Sequence, residues 1–383
     1  MFYLKRYDTK LLSFEIMEDT FEGQSCHITW INAEEPNLLP TGLKTTDEGL
    51  MAWLQNRIIP KNRENANALL AKSGLAYNDT KGILQVCRGL SLNDSYWVVE
   101  DGFAGSFADF NLYDHNFVKV LSLIAYTGHG TSRARGFSSS PEFTTTGMLR
   151  KGWRRLNGKI VLFKGGTSGA ANAGNEPYSE FYAAQIAEQM GLPHVAYGLS
   201  LWKKSLCSTC ELFCNADHSY VPIYRFVDKC TLRTVAEYLR SLGNAYYDRF
   251  VDMLIFDALI YNEDRHFGNF GLMVDNRTNR PCAFAPLFDH GLSLFNYAMP
   301  DDIRALDEYA KTRLSAYSVP FENIVKEFIT ARQKEELRKM IGFKFRRHSR
   351  YNLPSDRLKA IEKHLQKRIQ ALMAIPNSDE SKT

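Results

Sequence analysis

Apolar and polar positions alternate with a period that changes along the chain. The segments FYLKRY (2–7) and CHITWI (26–31) are short and rich in aromatic and β-branched residues, which predicts two strands around a polar turn. Helical spacing follows. Leu50, Trp53, Leu54 and Ile58 share one face, Thr45, Thr46 and Asp47 are N-cap candidates, and Pro60 stops the run. A second helix runs through Leu69 and Leu70 to Gly74, and a third fits Thr80 to Val86. The aromatic-rich stretch 96–126 has no assignable period. Residues 127–146 are rich in Gly, Ser and Thr and predict a surface loop and a domain boundary.

Beyond that boundary, KIVLFK (159–164) reads as a buried strand ending in lysine, followed by the loop GGTSGAANAGN. A helix then starts with Asn175 as cap candidate and Pro177 in its first turn, and ends at Gly191. Residues 221–227 (VPIYRFV) predict another strand. An apolar helix over 246–260 runs into YNEDRHFGN, and GLMVD with CAFAPLFD predicts a hairpin around Asn276–Pro281. Leu358, Ile361, Leu365, Ile369 and Leu372 form the stripe of a final amphipathic helix.

Composition refines this picture only coarsely. The 383 residues suffice for two domains with cores, and 44% hydrophobic with 23% charged residues excludes wholesale disorder. A net charge of +4 from 47 basic and 43 acidic residues is too even to make nucleic acid the main partner. No apolar run reaches the roughly 18 residues of a membrane span. The charged start MFYLKRYDTK does not resemble a secretory signal. Seven scattered cysteines fit a reducing cytoplasm.

The chemistry concentrates in 262–269. Phosphoryl transfer needs a carboxylate to orient the attacking hydroxyl and oxygen ligands to hold Mg²⁺. Asp264 and Asn269 have the spacing of the protein-kinase catalytic loop. Asp289, followed by His290 and Gly291, ends the hairpin as a D-x-G and would supply a second metal ligand. Lys164 ends a strand, and Glu180 shares a helix face with Ala183, Ala184 and Ala187, so the pair could hold a cation toward phosphates. Taken singly, each residue is an ordinary salt-bridging, strand-end or turn residue. Their order along one chain is what points to a kinase.

The pieces TTTGMLRKGWRR, KIVLFKGGT, NEPYSEFYAAQIAEQMGL, VPIYRFVD, DALIYNEDRHFGN and PLFDHG resemble the HipA-like kinases, an atypical bacterial serine/threonine kinase family, and especially its single-chain CtkA-type members. The DRHFGN and D-x-G motifs also resemble phosphatidylinositol kinases. The resemblance covers most of 120–370. It implies an α+β, two-lobed protein-kinase-like fold, with a small β-rich lobe over 127–230 and a helical large lobe over 231–375. An N-terminal α+β region over 1–126 has no assigned role, and 376–383 would be a disordered tail. Under this resemblance Asp264 is the catalytic aspartate and His266 supports its loop. Asn269 and Asp289 bind Mg²⁺, Lys164 meets the phosphates of ATP, and Tyr224 to Phe226 form the adenine hinge. Family members also autophosphorylate in a loop ahead of the phosphate-binding strand. The candidates here are Ser138, Ser139, Ser140, Thr144, Thr145 and Thr146.

The resulting expectation is an ATP- and Mg²⁺-dependent, autophosphorylating serine/threonine protein kinase of the cytoplasm. Its substrate would be a protein, and as a toxin it would have a helix-turn-helix antitoxin as partner. A lipid or small-molecule kinase and a catalytically silent binding or repressor module are the alternatives. Three further signals carry less weight. Cys207, Cys210 and Cys214 have metal-like spacing but read as reduced thiols rather than a zinc site. The loop 165–175 lacks the Gly-Lys-Ser/Thr of a Walker A. The stretch from Arg338 to Arg350 is locally basic and reads as a solvated face, with a contact to nucleic acid or an acidic partner as the alternative.

Overall fold

The computed structural model describes residues 1–19, 23–130 and 139–378. It divides into two compact units. The first gathers 1–164, 211–221 and 273–282, and the second gathers 165–210, 222–272 and the chain from 283 on. The cut at Lys164 falls inside the stretch that the sequence assigns to a single small lobe.

In the first unit, β1 (Phe2–Arg6), β2 (Thr9–Asp19), β3 (Gly23–Ile31) and β4 (Tyr96–Glu100) form an antiparallel sheet in the order β3-β2-β1-β4. The expected polar turn after residue 7 is instead the long strand β2. Its pairing with β1 runs Leu4↔Leu12 and then Lys5↔Lys10, so Leu11 is an extra residue in the ladder. Leu11 and Leu12 are both buried. The bulge breaks the strict alternation that would have marked a strand.

The helices α1 (Asp47–Arg57), α2 (Ala66–Lys72) and α3 (Thr80–Cys87) follow the expected spacing. Thr46 caps α1, its hydroxyl accepting from Gly49 N at 3.1 Å. The stretch 96–126 resolves into β4, a one-turn α4 (Phe107–Phe110) and α5 (Lys119–Thr127), with Trp97 packed among Phe103, Phe107 and Phe110.

Residues 139–145 are not the surface loop their composition predicts. Ser139 Oγ donates to Cys87 O at 2.8 Å, and Thr144 Oγ1 donates to Leu90 O at 2.7 Å. Ser140 donates to the Glu142 carboxylate, whose other oxygen accepts from Trp153 N at 3.0 Å. Buried Arg63 donates to Glu142 O, Thr145 O and Lys151 O. Hydroxyls that ordinarily signal solvent here satisfy buried backbone groups. Ser138 lies outside the described residues. The hairpin of β5 (Lys151–Leu156) and β6 (Lys159–Gly165) places Lys151 opposite Lys164. It joins this unit through contacts such as Ser122 Oγ to Trp153 O at 2.9 Å.

The second unit opens with α6 (Glu176–Met190), ended by Gly191 at φ 78°, a conformation favouring glycine. The antiparallel pair β7 (Tyr197–Trp202) and β8 (Ser205–Glu211) follows. The strand expected over 221–227 is displaced. β9 spans His218–Pro222, all but Pro222 in the first unit, and Ile223–Arg225 is a 3₁₀ turn closed by Phe226 N donating to Ile223 O. Pro222 cannot donate to a ladder, which ends the strand there.

The remaining elements are α7 (Leu232–Leu242), α8 (Asn244–Ile260), the hairpin β10 (Gly271–Asp275) and β11 (Arg280–Phe284), whose residues 273–282 belong to the first unit, α9 (Pro300–Arg304), α10 (Leu306–Lys311), α11 (Phe321–Phe328), α12 (Ala331–Arg338) and α13 (Ser355–Met373). Every residue of α8 from Phe250 to Ile260 is buried, and α13 lays its expected apolar stripe against it. In the tail, Ser378 N donates to Ile329 O at 2.8 Å, and 379–383 lie outside the described residues.

Candidate functional site

The apolar helix α8 fixes where the loop 262–269 begins. Tyr261 takes the left-handed conformation (φ 53°) and ends the helix with its N–H on Asp257 O. Asn262 then returns to the same residue, its N donating to Asp257 O at 3.0 Å and its side chain to Asp257 Oδ1 at 2.9 Å. Asp264 N donates to Asn262 Oδ1. The loop closes on itself, with Asn269 N on His266 O at 2.9 Å and Asn269 Nδ2 on Asp264 O at 2.9 Å.

The hairpin returns the chain to this loop. Ala285 N donates to Gly271 O at 3.0 Å, and Glu263 N donates to Leu292 O at 3.0 Å. Segment 288–292, which carries the D-x-G, thus runs beside 262–269. Asp289 has φ 56°, a left-handed conformation that aspartate adopts more readily than most residues. Its N donates to the Tyr197 hydroxyl at 3.1 Å. Glu180 is fully buried on α6, and a Cβ placed on Gly291 would lie 3.6 Å from its Oε1. Burial drives the Tyr197 hydroxyl well above its ordinary pKa, and the carboxylates of Glu180 and Asp289 push it the same way.

One buried cation ties these pieces. Arg265 donates from Nε to Asp257 Oδ2 at 2.8 Å and from Nη2 to Asp257 Oδ1 at 3.1 Å. Its Nη2 also meets His290 Nδ1 at 3.0 Å, and its Nη1 donates to Asn269 O at 2.8 Å and Phe288 O at 2.6 Å. A guanidinium only donates, so Nδ1 of His290 is the acceptor in this contact. Burial lowers the Arg265 pKa, but Asp257 outweighs it and the net shift is upward. Asp257 is held above the ordinary carboxylate range, because burial outweighs the lowering by Arg265 and Asn262.

The other sequence-predicted residues lie as follows. His266 is exposed, and its Nδ1 accepts from Gly268 N at 3.0 Å, bracing the turn. Tyr224 is 46% exposed on the 3₁₀ turn with the Arg225 guanidinium over its ring. Phe226 stacks on Tyr238, and its N–H is taken by Ile223 O. Lys164 belongs to the first unit, at the end of β6.

Sequence reasoning missed Asp257, Arg265, Asn262 and Glu176. Glu176 is buried and accepts from Thr167 Oγ1 at 2.6 Å and from Tyr297 Oη at 3.3 Å, anchoring the Gly-rich loop. A signal existed for Asp257, an acidic residue inside an otherwise apolar helix that must be paired.

The donor set suits a hard cation. Asn269 Nδ2 donates to Asp264, so Oδ1 is the oxygen this amide would turn to a cation, and Asp264 and Asp289 add carboxylates to the same loop pair. Among the described residues no group of three or more His, Cys, Asp or Glu could hold a metal, and none of the seven cysteines is in a disulfide. No helix among the described residues is long and apolar enough to cross a membrane.

No family model matches the chain, and no curated protein matches it in sequence. Solved structures do match. The proinflammatory kinase CtkA of Helicobacter pylori aligns with 61% of this chain and 95% of its own at 16% identity and a TM-score of 0.48. HipA of Shewanella oneidensis MR-1, solved with HipB and operator DNA, aligns over 99% of both chains at 12% identity and a TM-score of 0.51. This protein is α+β, sheet-rich toward its N-terminus and helical toward its C-terminus, and along its whole length it has the fold of HipA.

Proposed function

We propose that this protein is an ATP- and Mg²⁺-dependent serine/threonine protein kinase. The observation that carries the reading is the placement of the Asp264–Asn269 loop beside the Asp289–Gly291 segment, with buried Glu180 against Gly291. Asp264 orients the acceptor hydroxyl and takes up its proton, and Asn269 and Asp289 hold the cation through oxygen. His266 braces the loop, Lys164 serves the phosphates, and the backbone of Tyr224 to Phe226 serves adenine. Within the last segment the Phe226 N–H is already bonded, which leaves Tyr224 and Arg225 for that role. Bound MgATP supplies the transferable phosphoryl group and the charge neutralisation that transfer requires.

Self-modification fits the same reading. Of the described candidate hydroxyl residues, Ser139, Ser140 and Thr144 are buried, Thr145 is half-buried and Thr146 is exposed. Thr146 is therefore the expected acceptor among them. The HipA structure was solved with HipB and DNA, which makes a DNA-binding antitoxin the partner to seek.

The test is the intact mass of the protein after incubation with ATP and Mg²⁺, wild type beside Asp264→Asn. Phosphate gained only by wild type supports the reading. If wild type gains none and ATP with Mg²⁺ also leaves its melting temperature unchanged, the kinase reading fails.

A further inference from the structure

Arg265 is buried, yet it touches neither surface nor core hydrophobes as its main partners. Every N–H of its guanidinium is used, on three separate segments. Asp257 of α8 takes Nε and one Nη2 hydrogen, and His290 takes the other Nη2 hydrogen. Nη1 bridges the carbonyls of Asn269 and Phe288. These two carbonyls belong to, or directly precede, the two residues assigned above to the cation, Asn269 and Asp289.

The planar fork makes this more than a generic ion pair. A guanidinium presents its donors in fixed directions, so fixing Nε and Nη2 on one carboxylate fixes the direction of Nη1. Asp257 sits in a helix whose surrounding residues are all buried, which makes it a rigid reference point. The chain Asp257–Arg265–(Asn269, Phe288) therefore sets the distance between two loops from a third element. Tyr197 adds an independent restraint on Asp289 N. Lysine at position 265 would keep the buried positive charge but has one nitrogen, which cannot span carboxylate, imidazole and two carbonyls at once.

We propose that Arg265 is the positioning residue that sets the spacing of the two cation-holding side chains, Asn269 and Asp289, using Asp257 as its anchor. The proposal rests on the kinase reading of this site. It predicts that Arg265→Lys folds but loses the coupling between nucleotide and metal, whereas a simple charge-burial role would be met by either cation.

The experiment uses the full chain with Mn²⁺ as a paramagnetic stand-in for Mg²⁺ and a non-hydrolysable ATP analogue. Electron paramagnetic resonance reads bound Mn²⁺, and calorimetry in EDTA reads metal-free nucleotide binding. For Arg265→Lys, Mn²⁺ affinity in the presence of nucleotide should fall at least tenfold, while metal-free nucleotide affinity stays within twofold of wild type. Should the lysine variant not fold, the neutral pair Asp257→Leu with Arg265→Met, which buries no charge, should show the same selective loss. Mn²⁺ affinity within twofold of wild type in either folded variant overturns the proposal alone. Absence of nucleotide-dependent Mn²⁺ binding in wild type overturns both the kinase reading and the proposal.

Discussion

Asp257 and Arg265 form a two-point ion pair across the end of α8, with Nε–Oδ2 at 2.8 Å and Nη2–Oδ1 at 3.1 Å. Both residues are almost wholly buried. The Coulomb gain of such a pair is offset by the loss of hydration, so its net worth is modest while the loss of one partner is severe. Asp257→Asn strands a guanidinium in the interior and should destabilise the protein by about 3–5 kcal/mol. Urea unfolding of the variant beside wild type checks this, and a change below about 1 kcal/mol would mean that the pair is hydrated in solution.

The catalytic assignment gives a different signature. Asp264 is only half-buried at the loop surface, so Asp264→Asn should leave the melting temperature close to wild type. Its phosphorylation rate should fall by roughly 10²–10⁴, the usual weight of a positioned base. Full turnover by this variant would remove Asp264 from the chemistry.

Gly268 is constrained by its neighbour rather than by its backbone angle. A Cβ there would lie 2.8 Å from His266 Cε1 and 2.9 Å from Nδ1, so the ring must move and its bond to Gly268 N is lost. Gly268→Ala should slow turnover by roughly 10–100-fold, in line with loop misplacement on the ångström scale. His266→Ala should behave alike, with little change in melting temperature because the ring is exposed. A fully active His266→Ala would show that the turn holds without its brace.

Glu336 makes stability depend on pH. Burial, together with the nearby carboxylate of Asp252, pushes its carboxyl up to about 7, against an ordinary value of 4.5. The folded state therefore binds its proton more tightly than the unfolded chain. The stabilisation is complete below pH 4.5 and is lost as pH rises through about 7. Melting temperatures measured from pH 5 to 8 should fall less steeply for Glu336→Gln than for wild type, and parallel slopes would contradict the shift.

The sequence made some features legible because their cause is local. The bounds of α6 follow from Pro177 and Gly191, and α13 shows its buried stripe directly. The neighbouring loops 264–269 and 289–291 were foreseeable because their spacing is short-range chemistry. β2 was hidden by the bulge at Leu11, which puts consecutive leucines inside. Segment 139–145 was hidden because its hydroxyls bond to Cys87 and Leu90, far away in sequence. Arg265 was hidden in part for the same reason, since its acceptors Phe288 O and His290 Nδ1 lie 23 and 25 residues further along the chain.

The first unit is assembled from distant parts of the chain, and this orders events during synthesis. Buried Arg6 donates to Asn276 Oδ1 at 3.2 Å, Tyr7 Oη donates to Ala216 O at 2.6 Å, and Asn279 Nδ2 donates to Asn37 O at 2.7 Å. The ribosome must therefore pass residue 282 before the earliest strands find their last partners. At about 10 residues per second, roughly ten seconds separate the emergence of Lys164 from that moment. The nascent N-terminal sheet waits through that interval without the Asp275 and Asn276 acceptors of Arg6, and a fragment ending at 164 would never gain them. Chaperone dependence of this protein should accordingly be greatest co-translationally.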